Sequence, residues 1–111
     1  MQNYRITKEK LKELEPEIKK WKEEHSNGIV LISLKDDPVD VIAKTPAYFH
    51  MKEANQLKNE FDANKQLVLS CVVYPKNFAT ILEEKDTLAN PLATELVKEA
   101  GLVQEANVKK L

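Results

Sequence analysis

Cysteine, glycine and arginine are almost missing from this 111-residue chain, and each shortage closes a class of function. The lone cysteine, Cys71, makes no internal disulfide and builds no metal site by itself. Gly28 and Gly101 are the only glycines, and neither opens a glycine-rich turn that would cradle phosphate. Arg5 is the only arginine among seventeen basic residues. Arginine supplies the bidentate phosphate and guanine contacts, so nucleic-acid recognition is not expected. Eighteen acidic residues bring the formal net charge to −1, which leaves no polybasic arm or membrane-surface patch. No uninterrupted apolar run is longer than Ile29 to Ile32, far short of the roughly 20 residues that cross a bilayer. Met1 to Thr7 runs straight into charged residues without the apolar stretch of a secretory signal. The expectation is a cytoplasmic protein with no membrane partner, and a lone thiol fits a reducing compartment.

What is present describes a folded chain. Hydrophobic residues make up 42%, too many for a disordered segment. The length suits a single domain over residues 1–111, in three parts. Residues 1–27 read as a charged helix. Leu11, Leu14, Ile18 and Trp21 recur at three, four and three residues, one apolar stripe on a surface of Lys and Glu. Thr7 is placed to cap it, and Pro16 predicts a kink or two short helices. Gly28 supplies the left-handed residue that closes a helix.

Residues 28–44 read as a β-hairpin. Ile29-Val30-Leu31-Ile32-Ser33-Leu34 is apolar and β-branched, and the turn cluster Lys35-Asp36-Asp37-Pro38 follows. In the next strand Val39, Val41 and Ala43 alternate with Asp40, Ile42 and Lys44. An isolated hairpin is marginal in water, so it must pack on helices or be extended by another chain.

Residues 45–111 read as three to four short helices, giving an α+β fold. Thr45-Pro46 and Asn90-Pro91 are cap-plus-proline starts. Ala47, Met51, Ala54, Leu57 and Phe61 form one stripe, with a break at Asp62-Ala63-Asn64. Residues 67–73 are apolar almost all round and suit a buried helix or a strand, and Pro75 just after them favours the helix. Phe78, Ile81 and Leu82 line a further helix, and Glu83 to Ala89 reads as a polar connection. Leu92, Leu96 and Ala100 face one way on the last helix, which Gly101 ends. The remaining residues to Leu111 are weakly amphipathic, with Glu105 and Lys109 one turn apart.

Candidate chemistry is sparse. His50 and Glu53 have a helical metal-ligand spacing, but di-metal bundles need two such motifs and further carboxylates. His25 reads as a helix C-terminal cation. Cys71 sits among Leu69, Val72 and Val73, the setting of a structural thiol and not of a reactive thiolate. Ser70 lacks the flanking glycines of a nucleophile elbow. Asp36, Asp37 and Asp40 read as a polar turn. No acid, base and nucleophile assemble, so no catalytic, metal or cofactor residue is expected. An enzyme using His50, Glu53 or Cys71 is the reading least supported.

A resemblance adds to these readings. The strand pair ends in Lys44-Thr45-Pro46, and a helix bearing Tyr48 and Phe49 follows. Then come Leu67-Val68-Leu69-Ser70-Cys71-Val72-Val73-Tyr74-Pro75, with Leu82 further on. Asn90-Pro91-Leu92 opens the last helix, which ends in Ala100-Gly101. This series, from Ile29 to Val103, resembles the phage and prophage tail assembly chaperone proteins. The charged segment Thr7 to His25 lies outside the likeness. The resemblance implies a non-enzymatic role, without cofactors. Such proteins bind the long helical tape measure protein and keep it soluble while tail tube subunits polymerise around it, and some self-associate. The expected partner is therefore a tape measure-like helix in the cytoplasm of a bacterial host, with self-association into a homo-oligomer. The alternative is a structural or adaptor interaction module of a phage or mobile element, docking by its hairpin edge. The candidate partner-binding residues are Ile29, Leu31, Val39 and Val41, on a sheet face that lacks internal cover, together with Trp21.

Overall fold

Pro16 divides the N-terminal segment as its chemistry requires. The computed structural model describes residues 2–101 and Lys109. It begins with helices α1 (Lys8–Glu13) and α2 (Glu15–Glu24), with Leu14 between them. Pro16 falls in the first turn of α2, where its missing N–H leaves no bond unmade. Thr7 Oγ1 accepts the Lys10 N–H at 3.1 Å and caps α1 as predicted. Gly28 has a φ of 102°, and a Cβ added there would meet only Thr45 Oγ1 at 3.8 Å. Backbone conformation, not crowding, is what reserves that position for glycine.

The hairpin forms from β1 (Ile29–Ser33) and β2 (Asp40–Lys44), paired antiparallel from Ile29↔Lys44 to Ser33↔Asp40. The alternation sorts the residues onto two faces. Val30, Ile32, Val39, Val41 and Ala43 join the main core with α4 (Glu60–Cys71), α5 (Phe78–Glu84) and α6 (Ala89–Glu99). Leu67, Val68, Leu82, Leu88, Leu92 and Leu96 are almost wholly buried there. Ile29, Leu31 and Ile42 belong to the opposite face, where Leu11 and Ile18 of the N-terminal helices approach them. The α+β class holds, with a sheet of three strands in the order β1-β2-β3.

The third strand is a departure. Residues 67–71 are helical, but the chain then leaves α4 and pairs as β3 (Val72–Tyr74) with Ile42 and Ala43 of β2. A three-residue strand carries no period of its own; the open side of β2 recruits it. Two further boundaries move. Helix α3 (Tyr48–Asn55) ends early, and Asn59 caps α4 by accepting the Phe61 N–H at 2.8 Å and the Asp62 N–H at 3.3 Å. The break thus precedes Asp62-Ala63-Asn64. The stretch read as a polar connection holds the buried pair Leu88 and Ala89 at a 3-10 turn entering α6. Gly101, with φ 74°, follows α6 as predicted. The amphipathic reading of the last ten residues lies, Lys109 apart, outside the described residues. No helix among the described residues is long and apolar enough to cross a membrane.

The N-terminal arm is tied to β2. Tyr4 forms a parallel bridge with Val39, its N–H donating to Pro38 O at 2.7 Å and its carbonyl accepting the Asp40 N–H at 3.2 Å. The buried Asp40 carboxylate accepts from Arg5 Nη1 at 2.9 Å and from the Ile6 N–H at 2.8 Å. Burial alone would push this carboxyl up. The bonds from Arg5, Ile6 and the Ser33 hydroxyl outweigh it and hold the group below the usual carboxylate range. Asp37, in the turn before it, pairs separately with Lys85.

Because the native pKa of Asp40 is lowered, the group stabilises the fold fully above pH ~4 and loses that effect as pH falls through the native value. Asp40→Ala is expected to cost about 2 kcal/mol at pH 7, from charged hydrogen bonds lost and the Ile6 N–H left unpaired. Denaturant midpoints measured from pH 7 to 3 check this. The difference between wild type and variant shrinks toward pH 3, and a gap that stays constant contradicts the assignment.

Candidate functional site

Of the side chains singled out for possible chemistry, Cys71, Ser70 and His50 each have a structural task. Cys71 is fully buried at the end of α4. Burial pushes its thiol up to about 11, against a weaker downward pull from Lys44. A thiol held that far above neutral pH is protonated and a poor nucleophile. Ser70, beside it, donates its hydroxyl to Gln66 O at 2.8 Å, the local bond that a serine inside a helix commonly makes.

His50 is buried at the start of α3, where its Nδ1 accepts the Ala47 N–H at 3.0 Å. That bond satisfies one of the free donors at a helix N-terminus and needs an unprotonated Nδ1. Burial and then the Lys44 charge lower the His50 pKa, opposed by the Glu53 carboxylate, while His25 adds a smaller downward push. Glu24, His25 and His50 line one small hollow of about 240 Å³. Among the described residues, however, no three His, Cys, Asp or Glu side chains gather closely enough to hold a metal ion. The His50–Glu53 spacing leads to a helix start, and Glu53 points to solvent.

The surface is more informative. Leu31 is 48% exposed, and among the described residues Leu57 at 43% and Leu69 at 40% are the other large exposed apolar side chains. Leu57 and Leu69 lie apart, the first before α4 and the second on it. Leu31 lies at the centre of β1, the outer strand of the sheet. On one side of β1 is an apolar hollow of about 170 Å³, walled by Leu11, Ile18, Lys22, Ile29 and Ile42. On the other side is a groove of about 450 Å³ between β1 and α6, lined by Pro91, Thr94, Glu95 and Glu99 from the helix. Val30 and Leu31 line both, so the two depressions meet along the outer edge of the strand.

The predicted binding residues therefore divide. Leu31 is exposed, Ile29 and Trp21 are intermediate in burial, and Leu31 and Ile29 line the hollow. Val39 and Val41 do not belong to any surface. They are 1% and 0% exposed, because β2 is the central strand and its alternate residues face the helical core. The expectation that one sheet face lacks cover is also corrected in part. The N-terminal helices lie over it and bury Ile42, leaving the outer edge at Leu31 open. Sequence reading missed Glu95 and Glu99. Their four-residue spacing puts them on one side of α6, flanking the buried Leu92 and Leu96, a signal that the helical period contains.

Two measurements test these placements. Cys71 is expected to resist thiol reagents at pH 8 in the folded protein and to react fully in denaturant; labelling at comparable rates in both states contradicts its burial. For His50 the lowered native pKa means that stability is present above pH ~6.5 and declines as acid protonates the ring. His50→Gln is expected to flatten the stability profile between pH 7 and 5, read from thermal midpoints.

Comparison of the chain with models of known protein families, with curated proteins and with solved structures finds no match in any of the three.

Proposed function

We propose that this protein is a non-enzymatic binding module of the tail assembly chaperone kind, acting in the cytoplasm of a bacterial host. On this reading it holds an amphipathic helix of a tape measure-like partner in solution until assembly consumes it. The tail-assembly context comes from the resemblance of residues 29–103. The docking position comes from one observation, the exposed Leu31 at the rim of an apolar hollow.

The physical case is one of size and polarity. A hollow walled by Leu11, Ile18, Ile29 and Ile42 accepts one or two apolar side chains of a helix stripe. Each such side chain contributes roughly 1.5–3 kcal/mol when it leaves water. Contacts on that scale give weak, readily reversed binding, which suits a partner that must later be released. Lys22 at the rim offers a charge to the polar side of the same helix. With no partner bound, the exposed Leu31 also supplies an apolar contact for self-association.

Isothermal titration with an amphipathic helical peptide, followed by size exclusion with light scattering at several concentrations, tests this reading. Leu31→Glu is expected to weaken peptide binding at least tenfold while the circular dichroism spectrum and thermal midpoint stay close to wild type. Undiminished binding by Leu31→Glu removes the docking position, and a protein indifferent to every helical peptide removes the chaperone reading.

A further inference from the structure

Natural sheets protect their outer strands with lysine, proline, a bulge or extreme shortness. The two outer strands here differ. β3 is three residues long and runs directly into Pro75. β1 is five residues long and reads Ile-Val-Leu-Ile-Ser, with neither charge nor proline, and its register to β2 is unbroken.

The bonds at the two ends of the hairpin fix which backbone groups of β1 face outward. Leu34 N–H donates to Val39 O at 3.0 Å, and Thr45 N–H donates to Gly28 O at 3.0 Å. In an antiparallel ladder, bonded and outward-facing residues alternate. With the register running from Ile29↔Lys44 to Ser33↔Asp40, Val30 and Ile32 turn their backbone groups toward β2. Ile29, Leu31 and Ser33 turn theirs away, and none of the three has a backbone bond on that side among the described residues. The open edge thus offers three donors and three acceptors in a row.

The walls on either side of this edge differ in charge. On the α6 side stand Glu95 and Glu99, one helical turn apart. Glu95 is within 3.4 Å of Lys98, whereas Glu99 makes no ion pair among the described residues. Lys35 stands beside Leu34 at one end. On the other side lies the apolar hollow beside Leu31. A strand added to β1 would send alternate side chains to these two walls.

We propose that β1 takes a fourth, antiparallel strand from a protein partner. Its chemistry is that of an extended segment in which basic residues alternate with apolar ones. The basic side chains face Glu95 and Glu99, and the apolar ones lie beside Leu31. Lys35 disfavours a basic residue at the Leu34 end. Backbone bonds supply the affinity and the two walls supply the choice of sequence. This goes beyond capture of a helix, which uses the Leu31 side chain and leaves the edge bonds unmade.

The test uses the full, nitrogen-15-labelled chain and short synthetic peptides of alternating lysine and valine. Binding is expected to slow amide exchange at Ile29, Leu31 and Ser33 at least tenfold. Two peptides N-methylated on opposite alternate positions should differ, one binding normally and the other not at all. The double variant Glu95→Lys, Glu99→Lys should lose at least tenfold in affinity for the lysine peptide and prefer one of alternating glutamate and valine. Unchanged amides, or equal effects of the two methylation patterns, overturn the proposal. So does protection of the same amides that rises with protein concentration in the absence of peptide, which assigns the edge to a second copy. Parallel titration with the amphipathic helix separates the two readings, because helix binding that survives without strand addition overturns only this one.

Discussion

The strand β2 is the constraint on which the rest depends. It is buried on both faces and bonded along both edges. Its Val41 and Ala43, with Val39 just before it, seal the helical core, and its Ile42 sits under the N-terminal helices. One edge is filled by β1 and the other is shared between β3 and the bridge from Tyr4. A strand surrounded in this way has no water to satisfy its polar groups, so each must find a partner in the protein. Asp40 makes that requirement sharpest. It places a carboxylate in a buried strand, and the lone arginine of the chain, with the Ile6 amide, is committed to it. The N-terminal arm is therefore held by β2 as much as by its own helices.

Local signals carried much of this architecture. Thr7 and Pro16 each act through the conformation of one or two residues and predict their boundaries correctly, whereas α2 ends at His25 in extended backbone and the positive φ of Gly28 belongs to the turn before β1. The hairpin is legible because a period of two assigns both faces at once. The features that sequence reading misses are non-local. Val72–Tyr74 becomes a strand only because β2 has a vacant edge, and nothing in three residues announces that. Leu88 and Ala89 look like part of a polar link, yet they are buried where a 3-10 turn leads into α6, which begins two residues before its proline. The site divides along the same line. Exposure of Leu31 follows from its place on an outer strand, whereas burial of Val39 and Val41 needs knowledge of which strand is central.

The two sides of the sheet are unequal, and the inequality bears on function. The helical side is continuous, with aliphatic residues from three helices closing over Val41 and Ile32. The N-terminal side is thinner, two short helices without a fully buried residue of their own. A thin layer over an apolar strand leaves hollows, and here a hollow opens where the strand edge is free. Cys71 is buried in the core, and His50 accepts the Ala47 N–H at the start of α3.

An unguarded strand also has a colloidal consequence. A formal net charge of −1 provides little repulsion between copies, and a five-residue apolar edge is a template for pairing with any exposed strand. Such a chain stays dispersed best when it is dilute or when its edge is occupied. The amount synthesised in a cell then matters in its own right: surplus copies carry an aggregation risk that copies matched to a partner do not. Selection on such a protein would act on dosage as well as on affinity.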